Sequence, residues 1–151
     1  MSELRIEPAT LDDLSDLTEL LLDLFSHGQD FTPNREKQLR GLRLILEQPS
    51  RGRIFVIRNH KKIIGMINLL ITISTAEGGF VLLLEDLVIR QEHRHQGYGS
   101  QLLKHAIEFA RQKNFLRITL LTDRPDESRK FYLKHGFTES GMIPMRLHLR
   151  A

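Results

Sequence analysis

The 151-residue chain is the length of one ordinary domain, with 40% hydrophobic and 27% charged residues, a composition typical of a globular protein with a buried core. Its 22 basic and 19 acidic residues give a formal net charge of +3, and the basic residues are scattered, which disfavours binding to nucleic acid. The absence of cysteine excludes disulfides, thiolate metal sites and a cysteine nucleophile.

Targeting and metal signals are weak in this sequence. No apolar run reaches the ~20 residues that a membrane span needs, and the first residues lack the basic start and apolar stretch of a signal peptide. We therefore expect a cytoplasmic protein that does not bind membranes. The seven histidines include His93-x-His95, but no carboxylate or cysteine completes a ligand set at suitable spacing, so we expect no metal.

The first third of the chain predicts one strand and two helices. Thr10 and Asp13 have the spacing of a capping box before a series of apolar residues at helical intervals. The predicted elements are a strand over residues 4–7, a helix over 11–25 that Gly28 ends, and a helix over 35–48 that Asn34 caps.

The remaining sequence predicts mainly strands. Residues 54–58 and 63–73 flank a hairpin turn, and residues 80–90 form the next strand. A helix over 100–113, an apolar strand over 116–121 buried on both faces, a short helix over 127–134 and strands from Phe137 onward, the last over 142–149, follow. This order predicts a single α/β domain over residues 1–151 with a mixed sheet.

The end of the strand over residues 81–89 is the most informative part of the chain. It runs into Arg94-His95-Gln96-Gly97-Tyr98-Gly99-Ser100 and then directly into an amphipathic helix. Glycines at the start of a helix let the backbone approach an anion closely, and the unpaired N–H groups and positive dipole end of the helix hold it. The segment therefore predicts a ligand that carries phosphate.

Two motifs resemble those of one enzyme family. Arg94-x-x-Gly97-x-Gly99 resembles the acyl-CoA pyrophosphate loop of the GNAT N-acetyltransferases, and Ser128-x-x-Phe131-Tyr132-x-x-x-Gly136-Phe137 resembles the family's second landmark. The order of predicted elements is similar along essentially the whole chain. The resemblance implies the acyl-CoA N-acyltransferase fold, a mixed, mostly antiparallel sheet flanked by helices.

The same resemblance implies how acetyl-CoA binds as the cosubstrate. Backbone groups of Leu87, Val88 and Ile89 would contact the pantetheine arm, which lies like an added strand. The residues around the pyrophosphate would be Arg94, His95, Gln96, Gly97, Tyr98, Gly99 and Ser100. Many relatives have an asparagine before the second motif that contacts pantetheine; whether Asp123 or Ser128 replaces it here is left open.

Acetyl transfer to an amine requires a base, donors for the developing oxyanion and an acid for the leaving thiolate. Glu85 is the candidate base, because its apolar neighbours predict a raised pKa. The stretch Leu84-Glu85-Asp86 resembles polyamine-type acetyltransferases, which implies Glu85 as the base and Asp86 as a contact for a substrate cation. A strand bulge, frequent in this family, would re-aim one of these two carboxylates. Tyr132 matches the family's tyrosine and is the candidate acid.

The acceptor is less constrained than the reaction. Glu85, Asp86 and Asp30 would suit a small cationic amine such as a polyamine or an amino sugar. Two alternatives stay open: acetylation of a protein N-terminus or lysine, and a non-catalytic acyl-CoA-binding module. The final strand could also pair across a homodimer.

Overall fold

The computed structural model describes residues 4–27, 31–122 and 126–150. It consists of two compact units, Met1–Leu120 and Leu121–Ala151. The first unit contains the sheet and three helices, and the second contains one helix. Whether residues 1–151 act as one domain stays a prediction.

The sheet of the first unit is mixed and mostly antiparallel, which confirms the predicted class. Its strands lie in the order β1-β2-β3-β4-β5. The first four strands pair antiparallel, and β5 pairs parallel to β4. The strands are β1 (Leu4–Pro8), β2 (Gly52–Asn59), β3 (Lys62–Ser74), β4 (Gly79–Ile89) and β5 (Ile118–Leu120).

Helices cover both faces of this sheet. They are α1 (Leu14–Ser26), α2 (Arg35–Leu46) and α3 (Tyr98–Gln112), and the second unit contains α4 (Glu127–Lys134). Ile54 and Val56 belong to the apolar cluster that also contains residues of α1 and α2. Between them, Phe55 contacts two aromatic rings of α3, those of His105 and Phe109. Because successive strand residues point to opposite faces, α1 and α2 lie on one face and α3 on the other.

The predicted helix starts are largely confirmed. The Thr10 N–H donates to Asp13 Oδ2 at 2.9 Å, in a short 3-10 turn that precedes α1. Asn34 caps α2, since its side chain accepts a hydrogen bond from the Lys37 N–H at 3.1 Å. Gly28, predicted to end the first helix, lies outside the described residues.

The strand predictions near the carboxyl end are confirmed only in part. The strand β5 is limited to Ile118–Leu120 and is half-buried, whereas Leu116 and Leu121 are exposed. Within the described residues no strand follows α4, although a strand was expected from Phe137 and another over residues 142–149. The apolar residues of the latter segment are exposed, Met145 by 92%. Alternation shows that a segment can be a strand, but pairing requires a partner that the local sequence does not specify.

Gly65 provides a stability test of the β3–β4 pair. A Cβ atom there would lie 2.8 Å from the Val88 carbonyl oxygen and 2.5 Å from Ile89 Cδ1. Because a paired backbone cannot move away as a side-chain end can, we expect Gly65→Ala to lower the free energy of unfolding by about 1–3 kcal/mol. Gly41→Ala is the matched control. Gly41 lies in α2 with open space around it, and we expect Gly41→Ala to raise the free energy of unfolding by about 1 kcal/mol. Urea unfolding of both variants would measure this, and equal shifts would contradict the close approach.

Candidate functional site

A β-bulge in β4 places two carboxylates next to each other at the centre of the sheet. Asn68 lies opposite Asp86 and Leu69 lies opposite Leu84, so Glu85 is an extra residue without a partner on β3. An extra residue interrupts the regular alternation of side chains and bends the strand. The bulge expected from the resemblance is therefore present, and Glu85 is the residue that it sets apart.

The two carboxylates have opposite environments. Glu85 is exposed although its neighbours in the sequence are apolar, and its role as a base stays a prediction. Asp86 is the buried one, with 8% of its surface exposed. The bulge explains the difference, because the apolar residues around Glu85 in the sequence pack into the core while the extra residue is left out of the ladder.

Asp86 forms a buried polar pair with Asn68. The Asn68 Nδ2 group donates to Asp86 Oδ2 at 2.9 Å. Burial raises the pKa of Asp86 to about 6; the hydrogen bond from Asn68 acts against this, and the neighbouring Glu85 adds to it. Asn68 Oδ1 is also buried, and no described residue donates to it. The site thus contains a carboxyl group that exchanges its proton close to neutral pH.

Beyond the bulge, one edge of β4 is open. The strand β5 pairs with β4 at three positions, Leu82, Leu83 and Leu84. From Asp86 to Ile89, β4 pairs with β3, and from Glu85 to Ile89 no described strand pairs with its other edge. Backbone N–H and C=O groups of Leu87, Val88 and Ile89 lie in this stretch, and a ligand with amide groups can bind such an edge as an added strand does.

The open edge leads to the N-terminus of α3. Gly97 adopts a left-handed conformation, with φ 85°, directly before the helix begins at Tyr98. The first N–H groups of a helix have no acceptor within it, and the first turn of α3 contains no acidic residue that would repel an anion. A Cβ atom on Gly97 would meet no heavy atom within 4 Å, so the space beside this turn is open.

The other loop residues predicted around the pyrophosphate surround this turn. His95 is a non-glycine residue with positive φ, 64°, and both it and Gln96 are exposed. Gly99 and Ser100 are half-buried in the first turn of α3, which starts two residues earlier than the sequence predicts. The arrangement fits an anion beside the helix N-terminus.

Arg94 is held within the protein. Its NH2 group lies 2.7 Å from Asp23 Oδ2, and its Nε donates to the Ile89 carbonyl at 3.0 Å. These contacts tie the loop to α1 and to the end of β4. Contact between Arg94 and pyrophosphate stays a prediction, and the side chain also has a structural role that the sequence analysis did not foresee.

The second unit presents Tyr132 on α4. Tyr132 is half-buried, with its ring 5.4 Å from that of Phe137, and its carbonyl accepts a hydrogen bond from the Phe137 N–H at 3.1 Å. Gly136 supplies the positive φ, 95°, that reverses the chain between them. Ser128 is half-buried in the first turn of α4. The roles of Tyr132 and Ser128 stay predictions, and Asp30 and Asp123 lie outside the described residues.

Sequence reasoning missed two residues of this site. Asn68 pairs with Asp86, and Asp23 pairs with Arg94. Asn68 could have been identified from the sequence, since it is a polar residue within the apolar run of β3. Asp23 could not, because an acidic residue on the polar face of an amphipathic helix is common. In the described ranges, no three His, Asp or Glu side chains form a metal-binding group, and no helix is long and apolar enough to cross a bilayer.

Comparison with known proteins gives a consistent result. Residues 14–137 match the model of the acetyltransferase (GNAT) family. The aminoalkylphosphonate N-acetyltransferase of Salmonella typhimurium is 27% identical over 137 residues, 90% of this chain and 86% of that protein. The structure also resembles a possible acetyltransferase from Clostridium difficile 630 (TM-score 0.88, 15% identity, 98% and 99% of the two chains). An aminoglycoside acetyltransferase from an uncultured soil metagenomic sample, in complex with sisomicin, is a further neighbour (TM-score 0.77, 20% identity, 98% and 97%).

Asp86→Asn tests the buried carboxyl group through the pH dependence of stability. The pKa of Asp86 is 3.8 ordinarily and about 6 in the folded protein, so the folded state binds the proton more tightly. The free energy of unfolding should therefore decrease as the pH rises from about 4 to about 6. Above that range the full cost of burying the ionised carboxylate is present. We expect Asp86→Asn to be more stable than the wild type at pH 8, by up to about 3 kcal/mol.

The difference in free energy of unfolding between Asp86→Asn and the wild type should shrink toward pH 4. Chemical unfolding at a series of pH values measures this difference. An amide at position 86 could also donate a hydrogen bond to Asn68 Oδ1. Glu19→Gln, which removes an exposed carboxylate, is the control. Parallel pH profiles for the wild type and Asp86→Asn would show that this carboxyl group is not perturbed.

Proposed function

The chain belongs to the acetyltransferase (GNAT) family, and we propose that it transfers the acetyl group of acetyl-CoA to a primary amine of a small molecule by direct attack. The observation that carries this proposal is the open edge of β4 over Glu85 to Ile89, which continues into the uncapped N-terminus of α3. An extended amide-containing arm ending in a pyrophosphate has the chemistry that such a surface binds.

The described residues fit this cosubstrate. Leu87, Val88 and Ile89 offer backbone groups on the open edge of β4. At the end of that edge, Gly97 leaves room for phosphate oxygens, and the N–H groups of Tyr98, Gly99 and Ser100 can donate to them. His95, Gln96 and Arg94 complete the proposed contacts. The expected affinity therefore comes mainly from backbone N–H groups and not from charged side chains.

The chemistry divides among three groups. When bound, acetyl-CoA supplies an acetyl group activated as a thioester. Glu85, exposed beside the open edge, is proposed to accept the proton of the acceptor ammonium, directly or through water. A backbone N–H near Leu87 or Val88 is the proposed donor to the carbonyl oxygen. Tyr132 is proposed to protonate the leaving thiolate, because a phenol stays protonated at neutral pH.

Asp86 is proposed to act beside Glu85. Its raised pKa, about 6, makes it a second group that exchanges a proton near neutral pH, and its negative form attracts a cation to the bulge. Its burial, 8% exposed, limits direct contact with an acceptor. Contact between Asp86 or Asp30 and the acceptor's ammonium stays a prediction.

A small-molecule acceptor is supported by the nature of the most informative relative. That protein is named for acetylating aminoalkylphosphonates, which are small amines. The alternative acceptor, a protein N-terminus or lysine, would require an extended surface for a peptide. A screen of amines and of peptides by release of CoA thiol separates the two, because turnover restricted to peptides would contradict the small-molecule proposal.

Gly97 provides the first test of the cosubstrate site. A ligand at 100 times its dissociation constant stabilises a protein by about 2.7 kcal/mol. At this length we expect acetyl-CoA to raise the thermal midpoint by about 5–10 °C. Gly97→Asp and Gly97→Asn both tolerate positive φ and both can cap a helix, so they differ mainly in charge. We expect Gly97→Asn to keep most of the acetyl-CoA shift and Gly97→Asp to lose it.

The outcomes of this test are distinct. Loss of the shift in both variants would indicate a steric requirement for glycine. An equal shift in both would place the pyrophosphate elsewhere. No shift for the wild type at millimolar acetyl-CoA would contradict the proposed cosubstrate site.

Glu85→Gln and Tyr132→Phe test the proposed acid and base. Removing a general acid or base typically lowers the rate by about 10²- to 10⁴-fold. We expect each variant to show such a loss in kcat, measured by thiol release, with an unchanged thermal shift on acetyl-CoA. Raising the pH should partly rescue Glu85→Gln, because free amine then becomes abundant without a base.

Glu19→Gln removes an exposed carboxylate from α1 and should keep full activity. If Glu85→Gln and Tyr132→Phe both keep wild-type kcat, their assigned roles are wrong. If no amine or peptide is acetylated by the wild type although acetyl-CoA binds, the non-catalytic alternative is favoured.

A further inference from the structure

An open groove lies on the sheet face that carries the Asn68–Asp86 pair. It has a volume of about 800 Å³, and its floor includes Leu70 and Leu83, which are opposite each other on β3 and β4. Because β3 is regular here, Leu70 and Asn68 point to the same face. The groove thus begins one residue pair away from the bulge. A volume of this size is typical of sites for small molecules.

The lining of the groove is mostly apolar. Leu44 of α2 and Ile73 and Phe80 of the β3–β4 hairpin line it, and all three are exposed. Large apolar side chains that are exposed together around one concave surface indicate a binding site, whereas single exposed apolar residues do not. The chemistry of the lining favours an aliphatic chain or a ring.

One cation lies at the edge of this groove. Among the described residues that line it, Arg51 is the single charged one. Its backbone is fixed on both sides: the Arg51 N–H donates to the Gln48 carbonyl and its own carbonyl accepts from the Ile71 N–H, both at 2.8 Å. Its guanidinium forms no hydrogen bond or ion pair with any part of the chain that the structure describes. The protein therefore positions this residue without using its charge.

The acidic and basic groups lie at opposite ends of the apolar surface. Gly52, next to Arg51, is aligned across the sheet with Leu70 and Leu83, and Glu85 lies two residues beyond Leu83. Arg51 lies one residue further from Glu85 than Gly52 does, so a strand spacing of about 4.8 Å and a rise of about 3.4 Å per residue place the Arg51 and Glu85 Cα atoms about 14 Å apart. Because both side chains are long, a ligand of only a few carbon atoms would span the gap.

From this charge arrangement we propose that the groove binds the part of the acceptor remote from its amine, and that this part is a short apolar chain or ring ending in an anionic group bound by Arg51. The acceptor is then a zwitterionic amine, with its ammonium at Glu85 and a phosphonate or carboxylate at Arg51. The assignment of the amine end rests on the proposed acetyl transfer, whereas the anion site does not require it.

Binding of an amine-free probe tests the anion site independently of catalysis. Butylphosphonate, pentanoate and methylphosphonate would be titrated by calorimetry into the wild type, Arg51→Gln and Arg40→Gln. The control removes an exposed arginine of α2 that does not line the groove. We expect butylphosphonate to bind the wild type and Arg40→Gln equally, and Arg51→Gln about 10- to 100-fold more weakly.

The comparison of probes tests the two halves of the site. Stronger binding of butylphosphonate than of methylphosphonate supports the apolar half, and equal binding overturns it. Pentanoate distinguishes a carboxylate from a phosphonate as the preferred anion. Equal affinity of butylphosphonate for the wild type and Arg51→Gln, or no saturable binding, overturns the proposal.

Kinetics with 4-aminobutylphosphonate and butylamine connect the site to acetyl transfer. We expect Arg51→Gln to raise the KM of the first amine at least tenfold, with kcat and the butylamine kinetics unchanged. An equal effect on both amines would overturn recognition of the anion. If neither amine is acetylated while butylphosphonate binding depends on Arg51, the anion site is supported and the proposed acetyl transfer to such amines fails.

Discussion

The site depends on the point at which β4 stops pairing with β5. From Leu82 to Leu84 both edges of β4 are paired, and from Glu85 to Ile89 no strand among the described residues pairs with one of its edges. Unpaired backbone groups are costly unless water or a ligand satisfies them, so an open edge next to a buried core indicates a binding surface. The bulge at Glu85 lies at this transition. On the paired edge, Gly65 has no side chain, which lets β3 lie close to Val88 and Ile89 of β4.

The buried carboxyl group at the bulge lowers the stability of the fold and provides a group that can exchange a proton near neutral pH. Keeping Asp86 buried beside Glu85 raises its pKa to about 6, which costs folding free energy at neutral pH. A single hydrogen bond from Asn68 offsets part of this cost and leaves Asn68 Oδ1 without a described donor. Such local penalties are typical of functional sites, because groups that must exchange protons or attract charge cannot also be fully neutralised. The exposed Glu85 and the buried Asp86 thus have complementary properties despite adjacent positions.

The segments predicted well are those whose signal is local. Periodicity located α1, α2, β2, β3 and β4 to within a few residues, and the α4 boundaries agree with the prediction. The glycine turn before α3 was recognised because glycines at the start of a helix let the backbone approach an anion, and in the structure Gly97 has a positive φ there. The predictions failed where the outcome depends on a partner: β5 is short, and the apolar alternation of residues 142–149 gives no strand within the described residues. The pairing of Arg94 with Asp23, 71 residues apart, had no signal in either segment.

The sequence by itself determined the family resemblance, the mixed sheet with its helices and the position of the glycine-containing turn before α3, because each rests on short-range spacing. The tertiary structure alone decided which of two adjacent carboxylates is buried, since a one-residue bulge leaves Glu85 out of the ladder and turns Asp86 into the core. It also brought Asn68 to Asp86 and placed Arg51 beside an apolar groove. Burial and charge pairing depend on strands distant in the chain, and their register is fixed only when the sheet has formed.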